Sequence, residues 1–264
     1  MQKRSMLSQL RINGISYLLS ALLLLVGIPL YQLLVLNPTG YGTILAGNNG
    51  PALATAYLHW IGAHQLQFII HRLLLTLTFV LLLTLPFVLF RIIVAQELVA
   101  QVEQGEVEED EETEDGSPAH PWRGKGFVII ALWAGLSGLL LYILGTIGGT
   151  IYLVSASSAT MPANFTLISS LFSLVPNSIG IGLLALSTLF FGAMIARRGR
   201  YIWPGIWVAF GYAALAVAAL FSGSAVGVAS SPATGQATLT TPAMLLFALW
   251  VLWFGIMLVR LQPE

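Results

Sequence analysis

The chain has 264 residues, of which 57% are apolar and 8% charged, and its mean hydropathy is +0.85. So few polar side chains cannot cover a water-soluble globule of this length, and lipid must act as much of its solvent. Eleven basic and eleven acidic residues cancel to zero, and the absence of cysteine excludes disulfides, thiolate metal sites and cysteine nucleophiles.

A membrane-spanning helix needs about 20 apolar residues, because each rises about 1.5 Å through a hydrocarbon core about 30 Å thick. The basic start, with Lys3 and Arg4 ahead of an apolar run from Ile15 to Leu36, looks like a secretory signal, but the run is too long for one and is read as a retained first span. That span covers Gly14 to Leu36. A second covers Leu73 to Phe90, bounded by Arg72 and Arg91. The third runs from Gly126 to Val154 and the fourth from Phe165 to Ala196; both exceed the bilayer, with Gly145, Gly148 and Gly149 as candidate kinks in the third and Pro176 in the fourth. Tyr201 to Phe221 and Pro242 to Val259 complete an all-α, six-span transmembrane bundle.

Basic residues orient it. Lys3, Arg4 and Arg11 precede span one; Arg91, Arg123 and Lys125 flank the loop between spans two and three; Arg197, Arg198 and Arg200 separate spans four and five; Arg260 follows span six. The loops 37–64, 155–164 and 222–241 hold no Lys or Arg. The positive-inside rule then places both termini in the cytoplasm, with a bacterial inner membrane as the expected location. Ten of the eleven acids lie between Glu97 and Asp115, so 96–125 is expected to be a disordered cytoplasmic linker. It divides a two-span hairpin, 1–95, from a four-span bundle, 126–264.

Ionisable groups inside spans mark ion paths and intramembrane catalysis. None is expected in these six cores, since Arg72 and Arg91 sit where long side chains reach the headgroups. His59, His64 and His71 cluster on the outer side; His64 and His71 share a helix face at a spacing of seven, too far for one ion, so they are weak metal or haem ligands and no cofactor is expected. Gly135-Leu-Ser137-Gly138 matches the nucleophile pattern of rhomboid-type proteases, yet no histidine follows His120 to act as its base, which favours helix packing. Asn164-Phe-Thr166 matches a glycosylation acceptor, a pattern that arises often by chance. In span four, Ser169, Ser173 and Asn177 recur every four residues, and Tyr142, Thr146 and Thr150 form a similar stripe on span three. This is either a polar cleft for a neutral or amphipathic ligand or hydroxyl-mediated packing. No Gly-x4-Gly-Lys-Ser/Thr pattern offers a nucleotide site, and Lys and Arg, scattered at the ends of apolar runs, make no nucleic-acid face.

The segment Leu10-Arg11-Ile12-Asn13-Gly14-Ile15-Ser16-Tyr17-Leu18 and the hairpin Arg197-Arg198-Gly199-Arg200-Tyr-Ile-Trp203-Pro204-Gly205 resemble a family of uncharacterised bacterial six-span membrane proteins. The acidic linker departs from that family, and the resemblance carries over no catalytic residue. The residues favour a non-enzymatic structural, assembly or accessory membrane subunit, with the lipid bilayer and other membrane subunits as partners. Two alternatives stay open: a permease or lipid-binding transporter component using the Asn177 region, and a haem- or metal-associated subunit using His64 or His71.

Overall fold

A computed structural model of the chain describes residues 2–45, 51–109, 124–157, 164–230 and 239–261. Among these there is no strand, and six helical runs are long and apolar enough to cross a membrane: Ser8–Thr39, Gln65–Ala100, Lys125–Ser157, Phe165–Arg197, Gly205–Ser230 and Thr240–Val259. Only a closed backbone such as a helix satisfies its own N–H and C=O groups in hydrocarbon. Leu34, Leu144, Leu167 and Val226 project outward, as lipid-facing residues do, while one core runs from Tyr17 near the start to Leu258 near the end.

The first run is less regular than its sequence. Helix α1 (Gln2–Leu22) passes through a π-helical turn, Leu23–Gly27, into α2 (Ile28–Tyr31), and a second π-helical turn, Gln32–Leu36, follows. A 3-10 turn, Asn37–Thr39, ends at Gly40, whose φ of +87° is open to glycine at no steric cost. The expected loop 37–64 then contains α3 (Tyr41–Leu45) and α4 (Pro51–Ala63), because Tyr41, Leu58, Trp60 and Ile61 bury their rings and branches against the bundle.

Span two also differs from its reading. It is not one helix bounded by Arg72 and Arg91: α5 (Gln65–Leu81) and α6 (Leu85–Glu109) enclose a break at 82–84, and both arginines lie inside the helical run. Pro86 lacks the N–H that would bond the Leu82 carbonyl, and the Leu85 N–H takes that carbonyl instead at 2.9 Å. Helix α6 continues to Glu109, so the linker expected to be disordered is helical over 96–109, where Glu97 is buried. The rest of that linker, 110–123, lies outside the described residues.

Helix α7 (Lys125–Ser157) runs without a break through its glycines. They let neighbours approach: a Cβ on Gly145 would meet the Pro176 ring at 2.8 Å, and one on Gly138 the Gly180 carbonyl at 2.8 Å. Beyond α8 (Phe165–Leu174), the chain adopts π register over Val175–Gly180 around Pro176 before α9 (Ile181–Ile202). Pro176 thus widens the helix by a π turn. Gly199 takes φ +55° and turns the chain in the basic hairpin between spans four and five. Helix α10 (Gly205–Ser230) runs past the expected end at Phe221, and α11 (Thr240–Val259) closes the bundle, packing on α1 where Gly14 and Gly255 face each other.

Candidate functional site

The span-three and span-four stripe folds into a tight seam. Thr150 donates to the Thr146 carbonyl at 2.7 Å, Ser169 to the Thr166 carbonyl at 3.1 Å, and Ser178 to the Ala225 carbonyl on α10 at 2.9 Å. Tyr142 turns away from span four and stacks on Phe79 of α5 with ring centres 3.9 Å apart. Thr146 is buried, Ser169 and Asn177 are half-buried, and the buried Ser173 hydroxyl has no partner. Because a π turn adds a residue to the helix, Asn177 no longer follows Ser173 at the α-helical spacing that suggested one polar face. Gly135 of the protease-like motif serves packing: a Cβ there would lie 2.6 Å from the Ser187 hydroxyl and 2.8 Å from Pro86. A small apolar cavity beside Pro86 is lined by Leu139, Leu184, Phe191 and Phe247, and its hydroxyls, Ser187 and Thr188, already donate to main-chain carbonyls.

The break in span two carries a polar chain that the sequence reading missed. Thr84 donates to Asn13 Oδ1 at 3.2 Å, which leaves the Tyr17 hydroxyl, 2.9 Å away, to donate to Thr84. Near it, Ser20 bonds the Thr78 carbonyl at 3.1 Å. The signal was present as Thr84-Leu-Pro86 inside an apolar run, opposite the only Asn and Tyr in the first half of span one. Tyr17→Phe and Thr84→Val are each expected to lower stability by about 1 kcal/mol, with the double variant losing less than their sum, as thermal unfolding in detergent would measure.

Unpartnered polar atoms concentrate at the bundle end opposite the termini. Both ring nitrogens of His71, Arg72 Nε, the Tyr152 hydroxyl and the Ser173 hydroxyl are buried with no hydrogen-bond partner. His71, 9% exposed, stands against Tyr31 and Tyr41, each with ring centres 6.3 Å away. The Arg72 guanidinium lies 5.2 Å over the Phe68 ring, in cation–π range, with Tyr41, Tyr57 and Tyr142 close enough to feel its charge. Arg72 therefore does not simply snorkel from a span boundary.

The cap above these two residues is built by aromatic packing. Tyr41 meets Trp60 with ring centres 4.8 Å apart, and Trp60 Nε1 donates to the Thr39 carbonyl at 2.9 Å, fastening α4 over the end of span one. Tyr57 packs edge-on against Phe68, and Gly62 brings α4 against the Ser157 carbonyl of α7. Burial raises the Tyr41 hydroxyl above the ordinary phenol range, Tyr57 adds to the rise and Arg72 opposes it, so Tyr41 keeps its proton at neutral pH and remains a donor.

No family model, curated protein or solved structure matches this chain. The site must be read from its own geometry. His64 and His71 go to different partners: His64 stacks on Trp60 at 5.2 Å and its Nδ1 lies 3.1 Å from the Trp60 carbonyl. His59 is exposed, and the described residues hold no group of three His, Cys, Asp or Glu able to bind a metal.

Proposed function

We propose that this protein is a non-catalytic, multi-pass accessory subunit of a cell membrane, with both termini in the cytoplasm, that joins a larger membrane assembly through its first span. The observation that carries this reading is the sparse packing of that span. Only 11% of its most apolar window is buried, against 33–56% for the other five. Leu30, Leu33 and Leu34 are exposed along its second half, beside two π-helical turns. A π turn is less favourable than α register and recurs at functional positions, so two in one under-packed span favour a helix shaped for a neighbour. Van der Waals fit, more than hydrophobicity, joins helices in lipid, which makes such shaping the relevant signal.

A photo-crosslinking residue at Leu33 or Leu34 is expected to capture one protein of defined mass in intact membranes, whereas the same residue at Leu249 on α11, also exposed, is not. Capture of lipid alone from all three positions removes the accessory-subunit reading.

The orientation is tested separately, and a chain without cysteine makes the test clean. Single cysteines at Ser117 and at Thr55 are expected to react oppositely with a membrane-impermeant maleimide on intact cells: Thr55→Cys labels and Ser117→Cys labels only after lysis. The reverse pattern inverts the topology.

A ligand-binding transporter component is the second reading. It is favoured by the unpartnered Ser173 and Tyr152 hydroxyls beside the π turn at Pro176, since irregular helices with unsatisfied polar groups line binding sites in membrane carriers.

A further inference from the structure

The acids of this chain are confined to two places, 97–115 and Glu264, so no carboxylate is available anywhere in the segments that surround Arg72. Helix α6 carries the described ones away from α5. A guanidinium with a buried Nε and no counter-charge among the described residues is costly in a low-dielectric setting unless an anion from outside the chain completes it. What surrounds Arg72 is instead a set of neutral hydroxyl and imidazole groups. The Tyr57 oxygen accepts a hydrogen bond from the guanidinium and another from the Tyr41 hydroxyl, which leaves the Tyr57 O–H to donate, and His71, nine-tenths buried, offers an N–H with no acceptor. Tyr41 stands beside both His71 and Arg72, so these groups share one space.

We propose that Arg72, with Tyr41, Tyr57 and His71 under the α3–α4 cap, binds a phosphate group. The planar fork of arginine matches the oxygens of a phosphate in paired hydrogen bonds, and the further donors exceed what the two oxygens of a carboxylate use well. Phe68 and Trp60 give the site an apolar wall, and Arg72 itself is half-buried. It sits seven residues into α5, about 10 Å from the start of that helix, a depth at which a lipid headgroup reaches it from the adjacent leaflet. This site meets the first span through Tyr31 and Thr39, away from the exposed Leu30, Leu33 and Leu34, and does not depend on the accessory-subunit reading.

The test uses the full chain purified in a neutral detergent, with thermal unfolding followed during titration of phosphatidylglycerol, phosphatidylcholine or inorganic phosphate. Phosphatidylglycerol is expected to stabilise the wild type saturably and more than phosphatidylcholine does. Arg72→Gln is expected to weaken that binding at least about tenfold, the scale of one lost charged hydrogen bond. Inorganic phosphate producing the same Arg72-dependent shift identifies free phosphate as sufficient; a shift from the lipid alone identifies the headgroup. Without added ligand, Arg72→Gln is expected to unfold no earlier than the wild type, since it removes an uncompensated charge. Should that variant not fold, Arg72→Lys keeps the charge without the fork and is expected to weaken binding with little change in unliganded stability. Equal binding in wild type and variants, no stabilisation by either phosphate source, or an Arg72→Gln chain that loses stability while keeping its phosphatidylglycerol affinity overturns the site.

Discussion

Leucine at Gly138 is expected to separate α7 from α9 and abolish a stable, monodisperse protein in detergent. The Cβ alone would stand 2.8 Å from the Gly180 carbonyl and 3.0 Å from the Leu184 amide nitrogen, and both are backbone atoms that cannot rotate aside. The remaining atoms of leucine enlarge the conflict. Over-packing that side chains can absorb costs about 1–3 kcal/mol; one that must move two helix backbones is expected to exceed about 3 kcal/mol, a large share of the stability of an ordinary domain. Gly182→Ala is the control, because its Cβ would meet only the Ala225 Cβ at 3.8 Å, an ordinary contact. Size-exclusion profiles and unfolding temperatures of the two variants should differ sharply. If Gly138→Leu behaves like Gly182→Ala, the seam between spans three and four is more open than these distances allow, and the cleft that Ser173 and Asn177 suggest regains its place.

The six spans were legible because hydrocarbon imposes a length and a composition, and 18 or more apolar residues in a row leave few other readings. Boundaries were less legible. Arg72 and Arg91 looked like the ends of span two because a charge interrupts hydropathy, but helical hydrogen bonding is indifferent to charge and the run continues on both sides. The break at 82–84 was hidden for the opposite reason: every residue from Leu81 to Leu85 except Thr84 is leucine, so composition carried no sign of it, and only Pro86 marked the lost donor. The cap helices escaped because α4 mixes alanine, histidine and aromatics without a strong face. Their burial depends on Trp60 finding Thr39 and Tyr41, contacts across distances that no local pattern encodes. The geometry of the span-four stripe is not legible in the sequence, since an α-helical period does not carry through the segment around Pro176, which takes π register.

The donor-rich cluster shows how a functional reading can hide in what a sequence lacks. Each of Tyr41, Tyr57, His71 and Arg72 is unremarkable alone. The informative fact is that the first 96 residues contain no acid, so a half-buried arginine among them must be neutralised by something else or remain uncompensated. In water this would matter little, because an exposed guanidinium is solvated. Inside a bundle it becomes a constraint on which molecules the protein keeps beside it.

Phe210→Ala is expected to be the most damaging truncation of the core. Phe210 is fully buried, stacks on Trp250 at 4.8 Å and on Phe254 at 5.3 Å, and meets Trp207 and Trp253 edge-on at 5.8 and 6.0 Å. Its carbonyl also accepts the Trp250 Nε1 hydrogen at 3.2 Å, so this residue joins α10 to α11 through both its ring and its main chain. In a water-soluble protein, removing such a ring costs about 3–5 kcal/mol, part of it lost transfer from water and part the cavity left behind. Lipid tails are as apolar as the ring, so in the membrane the transfer part fades and the lost packing remains. The expected loss is therefore smaller, about 2–3 kcal/mol, and it should depend on the cavity and not on hydrophobicity. Phe210→Leu, which refills part of the space, should recover much of the loss, and steric-trap or reversible unfolding measurements in bicelles would read both. A Phe210→Leu variant as unstable as Phe210→Ala would show that ring stacking, and not filled volume, holds spans five and six together.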